Sequence, residues 1–375
     1  MPKERPARNA FDALVVLAVL IASVWVVPAG LTGRPRAEAR PPASPPGSSA
    51  PTASHGVTPV STPTPGRRPG PVAAVVYLHG FTMGIAFGAG SLWAASASGR
   101  VLRIDPARNL VTAEIPVEPD GTGPAGIAFG AGAVWVPVAV PAALWRIDPT
   151  RNRVVAKIPL GASVSGTVPV AATAGAVWVA AEGLSGAHAA GLLLRVDPAR
   201  NRVTAKVRLP GIPASVAASP KAASAPALVW AATVSDGVAA VDPSRDQVVK
   251  RLPLASSLGY TETVAAGAGA VWLADPFGQR ILRVDPASMQ VTDRVGVGAV
   301  TALTVDSGGI VWAVTPGGIL RVTPGRHPGA AQASVSMALS ADRLDGVLSL
   351  TSGGGSLWAG LTNSVARIDP RRLRP

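Results

Sequence analysis

From Ile85 onward the chain alternates short apolar runs with turn residues, a pattern of strands rather than helices. A Trp preceded by apolar residues recurs at Trp93, Trp135, Trp178, Trp230, Trp272, Trp312 and Trp358, at spacings of 42, 43, 52, 42, 40 and 46 residues. A second signature follows each Trp: RIDP at Arg103–Pro106 and Arg146–Pro149, RVDP at Arg195–Pro198 and Arg283–Pro286, and RIDP at Arg367–Pro370. Its variants are AVDP at Ala240–Pro243 and RVTP at Arg321–Pro324. An alternating run then closes the unit, as in VTAEIPV at Val111–Val117. Each unit therefore predicts four short strands. In the first unit these are Ile85–Phe87, Leu92–Ala95, Val101–Ile104 and Leu110–Ile115. Gly-Ala-Gly joins the first two strands, and Asp-Pro-x-Arg-Asn joins the last two. In that second turn Pro pre-sets φ, Asp accepts from backbone N–H groups and Asn tolerates the left-handed position.

Seven repeats of four strands predict an all-β, seven-bladed β-propeller whose blades bury their faces against each other. The recurrent Trp is predicted to pack between blades. The arginine of each signature is predicted to pair with a carboxylate in a neighbouring turn. The seventh unit ends shortly after its signature and lacks a fourth strand, while VAAVVYL at residues 72–78 precedes the first unit as a spare one. Pairing the two would close the ring and cover a sheet edge.

The phrases GAGAVW and RIDPxxN, with the VxAxIP run that follows, resemble the YVTN-like bacterial propellers and the related streptogramin lyases over residues 72–375. The lyase resemblance implies histidines just before the innermost strands and glutamates three residues after the blade Trp, acting with a metal in ring-opening elimination. Asp275 stands three after Trp272, and Glu262 stands two before Val264, where a histidine is wanted. The corresponding places in the first three blades hold Met83, Ala125 and Val168, so the lyase base is missing.

Upstream of the repeats, residues 1–10 form a short basic stub. Ala13 to Leu31 then run 19 residues without a charge, long enough to span a bilayer of about 30 Å. Residues 11–31 are read as an uncleaved signal-anchor, with a secreted form the alternative if the segment is cleaved. Residues 32–70 carry ten Pro from Thr32 to Gly70, with Ser, Thr, Ala and Gly, and cannot bury enough surface to fold. They form a linker, and the propeller occupies residues 71–375. The expected arrangement is a monomeric, single-pass membrane protein with an extracytoplasmic propeller.

Of the net charge of +13, residues 1–70 supply eight Lys/Arg against three Asp/Glu, leaving 26 against 18 in the repeats. Two Tyr, five Phe and no basic run interleaved with aromatics argue against nucleic-acid binding. The absence of Cys excludes disulfides, thiolate metal sites and cysteine nucleophiles.

Propeller topology places two connections of each blade on an upper face: strand two to three, and strand four to the next strand one. The turns one–two and three–four lie on the lower face. Candidate ligand-binding residues on the upper face are Glu118, Asp120, Glu182, Asp236, Tyr260, Glu262, Asp275 and His79. Glu262 and Asp275 are the candidates for a divalent cation; no other cofactor and no catalytic residue is assigned. Arg108, Arg151, Arg200, Arg245, Arg326 and Arg371 lie on the lower face as candidates for contact with an anionic surface. The leading functional expectation is a non-catalytic binding or scaffold module in the cell envelope, its partner a protein, glycan or small ligand. The alternative is a metal-dependent lyase or hydrolase using the acidic upper face.

Overall fold

The computed structural model describes residues 70–117, 123–164, 168–185, 188–219, 227–234, 237–253, 263–275, 278–323, 334–340, 344 and 346–373. The anchor segment 11–31 and the linker up to residue 69 lie outside them. Among the described residues, seven four-stranded antiparallel sheets follow one another as the blades of a propeller. Blade one comprises Thr82–Gly88, Ser91–Ser96, Arg100–Asp105 and Leu110–Pro116, ordered from the innermost strand outward. Blades two to six repeat that order. Blade seven differs in provenance. Its inner strands are Ser349–Gly353, Ser356–Gly360 and Ser364–Ile368, and its outermost strand is Val72–Tyr77 from the start of the domain. That strand pairs antiparallel with Ser364–Ile368, from Val72 opposite Ile368 to Tyr77 opposite Ser364. The predicted closure is therefore the observed one.

The seven hydrophobic clusters bridge blades rather than filling them singly. Trp93 of blade one packs with Val134, Val136 and Trp145 of blade two. Trp178 packs with Val229 and Ala231 of blade four, and Trp358 with Leu92 and Leu102 of blade one. All seven recurrent Trp side chains are at most 1% exposed. A half-buried antiparallel blade has a face to hide, and the Trp of each blade hides it against the next.

The signature arginine fastens the same interface on the lower face. Arg103 lies opposite Trp93 in the ladder, its guanidinium 5.1 Å from the ring centre. From there it donates to the Pro149 carbonyl at 2.8 Å and to Asn152 Oδ1 at 2.9 Å, both in the turn of blade two. Arg146 repeats this with Pro198 and Asn201, and Arg367 carries it across the closure to Pro106 and Asn109. The predicted carboxylate partner is thus corrected for these three: the acceptors are a proline carbonyl and an asparagine amide. Arg195 does meet a carboxylate, Asp246 at 3.1 Å, because Asp246 stands where the first three turns have Asn.

Turn chemistry follows the sequence closely. Asp105 Oδ1 accepts from the N–H groups of Ala107 and Arg108, and Asn109 takes φ 55°. Asn152, Asn201 and Asp246 occupy the same left-handed place. Between the first two strands Ala89 and Gly90 both have positive φ, the successive left-handed pair of a type I′ hairpin turn.

Candidate functional site

The upper face is where most sequence candidates were placed, and the structure engages each described one differently. Asp275 ends strand two of blade five, Ala270–Asp275, and is fully buried. Its Oδ2 meets Arg280 Nε at 2.9 Å and its Oδ1 accepts from Gly278 N–H at 2.8 Å. The carboxylate thus braces the strand two–three hairpin of its own blade. Glu182 lies in strand two of blade three, Val177–Ser185, and its N–H donates to the Ser163 carbonyl at 2.7 Å. Beside it is a recess of about 20 Å³ walled by Val164, Val168 and Pro213, room for a single water. His79 is exposed in the connection entering blade one, and its carbonyl accepts from Ser96 Oγ at 2.8 Å and Ser98 Oγ at 3.1 Å. Glu118, Asp120, Asp236, Tyr260 and Glu262 lie outside the described residues. Among the described residues, no three His, Asp or Glu side chains converge as a metal site.

On the lower face the turn arginines fold back on their own turns. Arg151 Nη1 stands 2.9 Å from Asp148 and Arg200 Nη1 2.7 Å from Asp197. Arg108 and Arg245 stand 3.9 and 3.8 Å from Asp105 and Asp242. The Arg200 hydrogen bond lowers the Asp197 carboxyl to about 2, aided by the turn N–H groups. The Thr150 hydroxyl and N–H, with Arg151, hold Asp148 well below the usual carboxylate range. Asp242 is lowered by the Ser244 hydroxyl and N–H, with Arg245. Each pair is nearly neutral at a distance, so this ring presents far less positive charge than its sequence suggests. Arg326 lies outside the described residues; Arg371 is exposed on a short 3-10 turn, Pro370–Arg372.

A feature that sequence reasoning missed lies at the closure seam. Tyr77, the last residue of the closing strand, is 71% exposed, and Phe81 after it is 44% exposed. Beside Tyr77 runs a groove of about 540 Å³ walled by Val75, Leu344, Leu361, Thr362 and Asn363. The Leu78 N–H to Asn363 and Thr82 N–H to Thr362 bonds, at 2.8 and 2.9 Å, fix its floor to the upper hairpin of blade seven. The available signal was the alternation of VAAVVYL: burying Val76 puts Tyr77 on the opposite side of the strand.

No protein-family model matches the sequence, and neither does any curated protein. Solved structures do match. The Neurospora crassa Pan2 WD40 domain is similar at TM-score 0.59 and 13% identity, over 78% of this chain and 90% of that one. Kuenenia stuttgartiensis hydrazine synthase is similar at TM-score 0.52 and 13% identity, over 78% of this chain and 96% of that one. At such identity the likeness is one of fold: the chain carries a seven-bladed β-propeller.

Proposed function

We propose that the chain is a single-pass membrane protein holding a non-catalytic propeller outside the cytoplasm, and that the propeller docks a cell-envelope protein through its upper face. The exposure of Tyr77 on the wall of the closure-seam groove, with Phe81 exposed four residues further along the chain, carries this reading. The whole chain has two Tyr and five Phe, and Tyr77 stands exposed on a groove whose walls combine Val75, Leu344 and Leu361 with Thr362 and Asn363. Aromatic side chains with low rotamer entropy are the usual anchors of protein interfaces, where a neighbouring groove admits the partner's side chains. A ring of blades braced by Trp packing and arginine bonds supplies a rigid platform for them. The metal-lyase alternative needs an open Asp275, and its carboxylate is enclosed with Arg280.

The docking reading is tested by a photo-crosslinking residue at position 77 in the full-length chain in its own membranes. Positions 155 and 249, which are 42% and 41% exposed on other blades, serve as controls. A discrete protein adduct from position 77, absent from both controls, is the expected result. The same pattern from all three, or none from 77, sinks the reading. The anchor is checked separately: the full-length chain should stay in the membrane pellet after alkaline carbonate washing.

A further inference from the structure

Where blade six meets blade seven the repeat departs from its own pattern, and the departures converge on one cleft. In blades one, two, five and seven a glycine ending the innermost strand makes room for a side chain of the next blade, while blades three and four have Thr173 and Ser219 there. A Cβ on Gly88 would stand 2.0 Å from the Phe129 ring, one on Gly267 2.8 Å from Val305, and one on Gly353 2.1 Å from Phe87. By ladder position, blade six has Asp306 in the place of that glycine, and blade seven has Ser352 in the place of Phe87 and Phe129. Blades three to five have Ala172, Ala218 and Ala266 at the Ser352 position, and only at the Asp306 seam does a carboxylate face it. A cavity of about 300 Å³ lies there on the lower face, lined by Asp306, Trp312, Ser352, Pro370 and Arg371 among others.

The two charged walls are held differently. Asp306 Oδ1 accepts from the N–H groups of Gly308 and Ile310 at 2.9 and 3.0 Å, and Oδ2 accepts from Trp312 Nε1 at 2.8 Å. A carboxylate has about four acceptor positions, so Oδ2 keeps one. Arg371 is a residue that the other turns lack. Arg372, three after Asp369, makes the usual turn pair at 3.1 Å, and the place of Arg371 is held elsewhere by Ala107, Thr150, Ala199, Ser244 and Ala287. Among the described residues the Arg371 side chain makes no ion pair. Arg321, opposite Trp312 in the ladder, has its buried Nε without a hydrogen-bond partner, adding positive charge to the same interface.

We propose that this cleft binds a small α-amino or α-hydroxy carboxylate. Its carboxylate sits on Arg371, and its ammonium or hydroxyl donates to Asp306 Oδ2. A lone anion would meet the Asp306 charge, and a lone cation would meet Arg371. A ligand carrying both an acceptor anion and a donor satisfies the two walls together. The volume lies at the small end of the range for small-molecule sites, which fits such a ligand. The site is on the face opposite the Tyr77 groove and does not rest on the docking reading.

Isothermal titration of the full-length chain in detergent with alanine and with lactate tests it, with acetate and methylammonium as half-ligands. At least one of alanine and lactate should bind saturably, one per chain, and each half-ligand at least tenfold more weakly. Asp306→Asn and Arg371→Gln should each weaken binding tenfold or more. Asp306→Gly with Ser352→Phe rebuilds the facing glycine and phenylalanine seen at Gly88 and Phe129, so this double variant should stay folded and abolish binding. Acetate binding as tightly as alanine or lactate, undiminished binding by the Asp306→Gly, Ser352→Phe double variant, or no binding of either carboxylate overturns the proposal.

Discussion

Asp197 shows how much one turn residue does: it accepts from the N–H groups of Ala199 and Arg200 and meets the Arg200 side chain. These bonds favour the charged form, so its folded carboxyl titrates near 2, against 3.8 for the free side chain. A folded pKa below the unfolded one means the stabilisation is complete above about pH 4 and is lost as pH falls toward 2. Asp148 shares the direction. The melting temperature should therefore hold nearly constant from pH 8 to 5 and decline from about pH 4 to 2. In calorimetry, the Asp148→Asn, Asp197→Asn double variant should decline less steeply across that window. An identical pH profile would mean that these turns do not couple to folding. Such roles were readable in advance, because an Asp-Pro-x-Arg-Asn turn is satisfied within five residues. The reach of Arg103 was not: its acceptors, Pro149 and Asn152, lie 46 and 49 residues further along the chain.

At the scale of strands, the innermost positions are set by close approach. Gly88 faces Phe129, and any Cβ there collides with the ring. Gly88→Ala should destabilise by about 1–3 kcal/mol through overpacking. With Phe129→Ala present it should be markedly less harmful, a coupling of about 1 kcal/mol or more in a double-mutant cycle. Strict additivity would show that the strands separate freely. Trp135→Ala, at a site with no exposure, should lose about 3–5 kcal/mol, measured by denaturant unfolding. The strands, the blade count and the Trp role were legible because each rests on a local pattern repeated seven times, so errors in one unit are corrected by the others. The candidate sites were less so. Asp275 looks like an open ligand from its spacing to Trp272, yet its burial comes from Arg280 and Gly278 across the hairpin. The groove beside Tyr77 and the cleft beside Asp306 take shape only once neighbouring strands and blades are set side by side.

The whole ring depends on one strand supplied by the opposite end of the domain. Val76 and Leu78 are buried, 3% and 7% exposed, in the cluster that holds Trp358 and Leu92, so the closing segment joins blade seven to blade one through the core. Its lower end is fixed as well, since the Asp369 N–H donates to the Pro71 carbonyl at 2.9 Å. Removing residues 70–78 would strip a ladder of hydrogen bonds from Ser364–Ile368, expose an edge to other chains and open the Trp358 cluster. Each lost buried Val or Leu side chain is worth about 1.5–3 kcal/mol, against a total stability of only about 5–15 kcal/mol for an ordinary domain. Two truncations separate the closing strand from what precedes it. A chain beginning at residue 70 should melt cooperatively at the temperature of the full-length propeller. A chain beginning at residue 79 should aggregate or melt more than 10 °C lower. Adding a peptide of residues 70–78 in excess should recover part of that loss by filling the vacant edge. If the chain from residue 79 melts with the one from residue 70, the ring holds without its closing strand, and the seam that carries Tyr77 is no structural boundary at all.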